Sequence, residues 1–145
     1  MIKVSRKLDY AILAVAHFCL SRGQVVSARS IAERYRIPLP ILANILKLLA
    51  RHGVIDSVRG VGGGYVLAAK PEELTLGELA RVVEGPFRLA DCVPDGLSED
   101  GRCTREGCCP ARDPIRRVHE AIQQLLDRVT FRELTEGAAA KLQGT

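Results

Sequence analysis

Ser27–Ala68 reads SARSIAERYRIPLPILANILKLLARHGVIDSVRGVGGGYVLA, and this stretch decides the fold. Ser27 is suited to cap a short helix from Ala28 to Tyr35, with Ile31 and Ala32 facing inward. The link Arg36-Ile37-Pro38-Leu39-Pro40 follows. Pro40 then suits the first turn of a helix running to about His52, where Leu42, Ile45, Leu46 and Leu49 recur at helical spacing and Gly53 stops it. Helix, short turn, helix is the layout of a helix-turn-helix. Val54–Val58 and Tyr65–Ala69 are β-rich segments on either side of a glycine-rich turn, a hairpin in the position of a wing. A phosphate-loop reading of the glycine run fails on context. Neither GxGxxG nor GxxxxGK[ST] is matched, because Tyr65 takes the place of the third glycine and a strand follows where a helix is needed.

Working outward, Ser5 to Arg22 places Leu8, Ile12, Val15, Ala16, Cys19 and Leu20 on one helical face, with Gly23 as the stop; Cys19 reads as core packing. Downstream, Pro71 opens a connector, and Thr75-Leu76-Gly77-Glu78 has the capping-box pattern of a helix through Glu84, ended by Gly85-Pro86. Residues 91–112 are rich in Gly, Asp and Pro, show no periodicity and read as a loop. Asp113-Pro114 is expected to cap another helix, in which Ile115, Val118, Ile122, Leu125 and Val129 alternate steps of three and four. That repeat suits a helix packing on a partner helix, in a homodimer, although a core-facing helix of the same chain gives a similar pattern. Thr130-Phe131-Arg132-Glu133 caps a last short turn. The expected chain is mainly α with a small β-hairpin: a winged helix-turn-helix over 1–70, a connector helix over 71–90, a cysteine loop over 91–112, a dimerisation helix over 113–135 and a frayed tail over 136–145.

The charge is uneven. Residues 1–70 hold 11 Lys and Arg against 3 Asp and Glu, a net +8, whereas residues 71–145 hold 10 against 14, a net −4. The first part therefore suits a polyanion, unless the excess is only a solvated face. No apolar run approaches the ~20 residues that span a bilayer, and the N-terminus carries spread charges without a signal-type cleavage site, so a cytoplasmic protein with no membrane partner is expected.

For duplex DNA as partner, the N-terminal residues of the second helix lie nearest the base edges. These are Pro38, Pro40, Ile41 and Asn44, of which only Asn44 is able to pair with a base, adenine being its usual partner. Lys47 and Arg51 farther along, and Arg29 on the preceding helix, suit phosphates and would set affinity and salt dependence. Arg59, at the wing tip beside Gly62, Gly63 and Tyr65, suits a narrow minor groove and is the leading specificity residue. A solvated surface charge is the plainer reading of each cation.

Four of the 5 cysteines fall between residues 91 and 112. In a reducing compartment this favours metal binding or redox chemistry over a structural disulfide. An iron-sulfur cluster, a zinc site and a bare thiol switch all remain open at this point, since soft thiolates suit iron and three thiolates with one further ligand also make a zinc set.

With wing and cysteine loop placed, the chain resembles the winged-helix iron-sulfur transcription regulators of the IscR and NsrR type. The resemblance is carried by LDYAILAVAHF, by Ser27–Ala68, by LTLGELARVVEGP and by a three-cysteine loop before a long helix, with SVRGVGGGY its most specific element. LADC together with CCPAR is most similar to the subgroup regulating the SUF cluster-assembly system. The resemblance implies a homodimer on a palindromic promoter site and an iron-sulfur cluster, 2Fe-2S or 4Fe-4S, that alters DNA binding. The family pattern places its ligands at Cys92, Cys103 and Cys109, with Cys108 as an alternative to Cys109. The gap from Val93 to Arg102 is longer than is usual in the family. Where IscR-like members have a ligating histidine this chain has Arg112, which stays protonated and does not bind metal; His119 lies two turns into the helix. NsrR-like members use a carboxylate from the other subunit, and Asp9 matches it, although a first-turn helix charge explains Asp9 equally well.

The expected function is a cluster-sensing DNA-binding regulator, a repressor of iron-sulfur assembly genes. The alternatives are a nitric-oxide or redox-responsive repressor of stress genes and, from another class, a zinc or thiol redox protein. An enzyme is not expected, because no Cys-His-Asp constellation, dinucleotide loop or CxxC pair is present.

Overall fold

Local signals place most of the helix ends. In the computed structural model, which describes residues 3–93, 103–105 and 107–138, α1 spans Arg6–Leu20, and the Ser5 hydroxyl accepts from the Leu8 amide at its start. α2 (Ala28–Tyr35) begins where the Ser27 hydroxyl accepts from the Ser30 amide. α2 ends on Arg36 in the left-handed region, φ 53°, so the chain reverses and buries Ile37. α3 (Leu39–Arg51) has Pro40 in its first turn, where a missing N–H costs no helical bond. It closes in a Schellman motif: Gly53 at φ 72° donates to the Ala50 carbonyl at 3.1 Å, and Val54 donates to Leu49 at 3.0 Å.

Strands β1 (Ile55–Val58) and β2 (Gly64–Leu67) pair antiparallel, with Ile55 opposite Leu67 and Val58 opposite Gly64. The hairpin is fastened to the chain before α2, because Val26 and Tyr65 exchange two backbone bonds of 2.8 Å each. α4 (Leu76–Glu84) starts with the expected capping box between Thr75 and Glu78 and ends at Gly85, φ 82°.

α5 spans Arg112–Arg128, and here the expected start is corrected. The cap position falls on Ala111, and Asp113 and Pro114 lie inside the first turn. The chemistry there is the same. An acid at N2 suits the positive end of the helix, and a proline in the first turn lacks only an amide that would have no helical acceptor. α6 (Phe131–Thr135) opens with the Thr130–Glu133 capping box. Residues 139–145 of the expected tail and residues 94–102 and 106 of the expected cysteine loop lie outside the described residues.

The core gathers Ala11, Ala14, Val15 and Phe18 of α1, Ile31 of α2 and Leu42, Ile45, Leu46 and Leu49 of α3. The same core takes in Leu74, Leu79, Val83 and Phe131 from beyond the hairpin. Phe131 is brought there by backbone pairing: its amide donates to the Leu74 carbonyl and that of Leu76 to Val129, both at 2.9 Å. The start of α1 is tied to the end of α4, since Lys7 Nζ donates to the Val83 carbonyl at 2.7 Å and the Ser5 hydroxyl donates to the Glu84 carboxylate.

Candidate nucleic-acid interface and cysteine segment

Helical periodicity divides α3 into two faces. Leu42, Ile45, Leu46 and Leu49 are buried, while Pro40, Ile41, Asn44, Lys47 and Arg51 are exposed at spacings that place them together on the opposite face. All five residues expected at the DNA on this helix are therefore presented side by side. Arg29 is exposed at the second position of α2, and Arg59 is exposed just past β1.

The wing turn owes its shape to glycine. Gly60 (φ 102°) and Gly62 (φ 76°) hold the left-handed backbone, and the Gly63 amide donates to the Gly60 carbonyl at 3.0 Å. A Cβ on Gly63 would lie 2.4 Å from the Val58 carbonyl oxygen. Gly62 and Gly63 thus shape the turn that carries Arg59 and the fully exposed Val61. Tyr65 is half-buried against the core and bonded through its backbone to Val26, so it anchors the base of the wing.

α5 lies mostly in solvent. Only His119 is buried on it, at 5% exposure, whereas Val118 and Leu125 are exposed, Leu125 at 62%, and Ile115, Ile122 and Val129 are partly so. The stripe expected at a dimer interface is thus uncovered at Val118 and Leu125 and partly covered at its other three positions in the single chain. The opposite side is joined to α4. Arg81 Nη1 donates to Asp127 Oδ1 at 2.8 Å, and a Cβ on Gly77 would fall 2.0 Å from that same oxygen, so Asp127 occupies the place of a missing side chain. The His119 ring stacks on Phe87, centroids 5.2 Å apart and planes 3° from parallel, and its Nδ1 has no hydrogen-bond partner among the described residues. Sequence reasoning missed this pair; an aromatic just after Gly85-Pro86 was its only signal.

The cysteine segment runs between α4 and α5. Cys92, Cys103 and Cys109 are free and half-buried; Cys108 is free, exposed and donates its thiol to the Arg105 carbonyl at 3.7 Å. Their donor chemistry fits iron or zinc. Among the described residues, however, no group of three or more His, Cys, Asp or Glu side chains is gathered closely enough to hold a metal ion. Asp9 is exposed near the start of α1, and Arg112 is half-buried as the first residue of α5. Cys19 behaves as the packing residue expected: it is half-buried against the core, and burial pushes its thiol up to about 11, which keeps it protonated.

An exposed helix face with Asn, Lys and Arg, beside a glycine-shaped wing carrying Arg59, defines a winged helix-turn-helix protein of the transcription-regulator class. The chain belongs to the Rrf2 family, described as iron-dependent transcriptional regulators, whose model matches residues 4–137. It is 26% identical over 135 residues to the regulator NsrR of Bacillus subtilis, covering 92% of this chain and 90% of that one. Over 133 residues it is 28% identical to the regulator CymR of the same species, covering 91% of this chain and 88% of that one. Among solved structures, that of CymR, the global cysteine regulator of B. subtilis, superposes with a TM-score of 0.74 at 29% identity, covering 94% of this chain and 98% of that one. T. potens IscR superposes with a TM-score of 0.72 at 29% identity, covering 94% and 88%. Among the described residues no helix is long and apolar enough to cross a membrane.

Proposed function

We propose that this chain is a cluster-sensing repressor of iron-sulfur assembly genes. Two copies join through the apolar stripe of α5 and bind a palindromic promoter site, with α3 in the major groove and Arg59 in the minor groove. Cys92, Cys103 and Cys109 hold an iron-sulfur cluster, and Asp9 of the second subunit completes its ligand set.

The observation that carries this reading is the placement of three free, half-buried thiols on the one segment that joins α4 to α5. α4 packs on α1 and α3, and α1 also packs on α3. A change of shape in the cysteine segment is thereby passed to the recognition helix through packed elements. The cluster, when bound, supplies a centre that oxygen or nitric oxide damages, and its gain or loss alters how the segment is tied. The protein's own contribution is to supply thiolates, to limit their exposure and to couple α5 to α4 through Asp127, Arg81 and Gly77.

Anaerobic purification tests the proposal directly. A brown protein with iron and sulfide in stoichiometric amounts is expected, and its colour should be lost in Cys92→Ser, Cys103→Ser and Cys109→Ser but kept in Cys108→Ser. A colourless protein carrying stoichiometric zinc would sink it.

The second reading is a regulator that responds to thiol chemistry or nitric oxide without a resident cluster. It is favoured by the lack of a gathered ligand set among the described residues and by the likeness to the global cysteine regulator. A colourless, metal-free protein whose promoter binding changes on thiol oxidation would establish it.

A further inference from the structure

The exposed face of α3 changes character along its length. Its C-terminal half carries Lys47 and Arg51, while its N-terminal end presents Leu39, Pro40 and Ile41 to solvent, Ile41 at 46% exposure. The first turn contains no acid and no side-chain cap. The helix end that approaches the base edges is thus apolar except for Asn44, one turn after Ile41. Such a cluster contributes nothing to phosphate binding and leaves apolar surface in water. The apolar group that the major groove offers is the C5 methyl of thymine.

Resting on the reading that α3 enters the major groove, we infer that Ile41, flanked by Leu39 and Pro40, packs on the methyl of one thymine in each half-site and reads it. The exposed cations Lys47 and Arg51 continue the same helix face, which makes a duplex polyanion, and not an apolar protein surface, the occupant. Ile41 and Asn44 differ by about 4.5 Å along the helix axis, close to the ~3.4 Å base-pair step. Asn44 therefore meets the base pair neighbouring that thymine, where an adenine gives it two hydrogen bonds. The half-site core is a short A·T step, read by one methyl contact and one amide.

Replacing thymine by uracil removes the methyl and leaves every hydrogen-bonding group in place. Duplexes would be enriched from a random-sequence pool by the full-length protein, and each thymine would then be replaced singly by uracil. One position in each half-site should lose about fourfold in affinity on substitution, the value of one buried methyl group. Ile41→Ala should weaken the thymine duplex by a similar factor and bind thymine and uracil duplexes alike. Ile41→Val should retain part of the discrimination, and Asn44→Ala should leave it intact. Because Ile41 is exposed, its variants should unfold with the parent's midpoint, which separates a lost contact from a lost fold. The inference is overturned if no uracil position matters, or if the thymine preference persists undiminished in Ile41→Ala, which would put the methyl against the wing. Either result leaves the DNA-binding reading standing. A parent protein that enriches no duplex and shows no salt-dependent binding removes both.

Discussion

Gly64→Ala tests the joint between wing and helix-turn-helix. A Cβ at residue 64 would lie 2.4 Å from the Val26 carbonyl oxygen, 2.8 Å from its carbon and 3.0 Å from Ser27 Cα, all of them backbone that has no rotamer to change. Relief requires β2 to part from residue 26, with loss of the two Val26–Tyr65 bonds of 2.8 Å. At about 1 kcal/mol each these amount to ~2 kcal/mol. A shift at Ser27 also disturbs its cap on the Ser30 amide at 3.1 Å, which costs ~1 kcal/mol more. The stiffer unfolded chain of an alanine offsets about 0.5 kcal/mol. The net loss is about 2.5 kcal/mol, or a fall in Tm of roughly 5–10 °C for a chain of this size. Urea and thermal unfolding followed by circular dichroism would measure it. Gly62→Ala is the comparison: its added Cβ meets nothing within 4 Å, and only its φ of 76° is strained, so it should lose about 1 kcal/mol. If Gly64→Ala matched the parent's midpoint within about 1 °C, the view of the wing as fixed by backbone contact at Val26 would be wrong.

Lys47→Ala should weaken binding to all duplexes alike and lower the slope of log affinity against log salt by about 1, as fluorescence anisotropy across a salt series would read. Arg59→Ala should instead reduce discrimination among promoter fragments, and equal losses on every fragment would count against a minor-groove role. Leu125→Glu places a charge in the exposed stripe of α5 and should convert the proposed dimer to a monomer in analytical ultracentrifugation, with the fold unchanged. His17 Nδ1 lies 3.0 Å from the Tyr35 hydroxyl, and burial, followed by the nearby Arg34 charge, lowers its pKa from 6.5. The unfolded chain therefore binds the proton first as pH falls. The His17 contribution to stability is complete above about 6.5 and declines as pH drops from there through the folded value. Denaturant titrations between pH 7.5 and 5 should show a shallower decline in His17→Gln than in the parent.

The features legible in the sequence are those whose cause is local. Ser27, Thr75 and Thr130 act as helix caps through bonds to residues three positions away, and each cap appears where its pattern predicts. The two faces of α3 follow from spacing alone. Asp113-Pro114 shows the limit of such signals, because an acid and a proline suit a first turn as well as its edge. Contacts between distant segments were not legible. Nothing in the composition of Val25-Val26 marks Val26 as the partner of Tyr65, and nothing near Phe131 shows that its ring enters a core built mostly before residue 55. The thiols were legible as donors, but their gathering depends on how residues 92 to 109 wrap, which no periodicity encodes.

Phe131 bears on how such a chain can be divided. With that ring seated beneath α1 and its amide on Leu74, the last helix is a structural member of the half that precedes the cysteines. A fragment ending after the hairpin would lack Phe131, Leu74, Leu79 and Val83, and loss of one buried phenylalanine alone costs about 3–5 kcal/mol. The cysteine segment is therefore not a cassette appended to a self-sufficient helix-turn-helix. It lies between two elements, α4 and α6, whose Leu79, Val83 and Phe131 share one core with α1 and α3, so strain introduced at either of its ends is felt in that core.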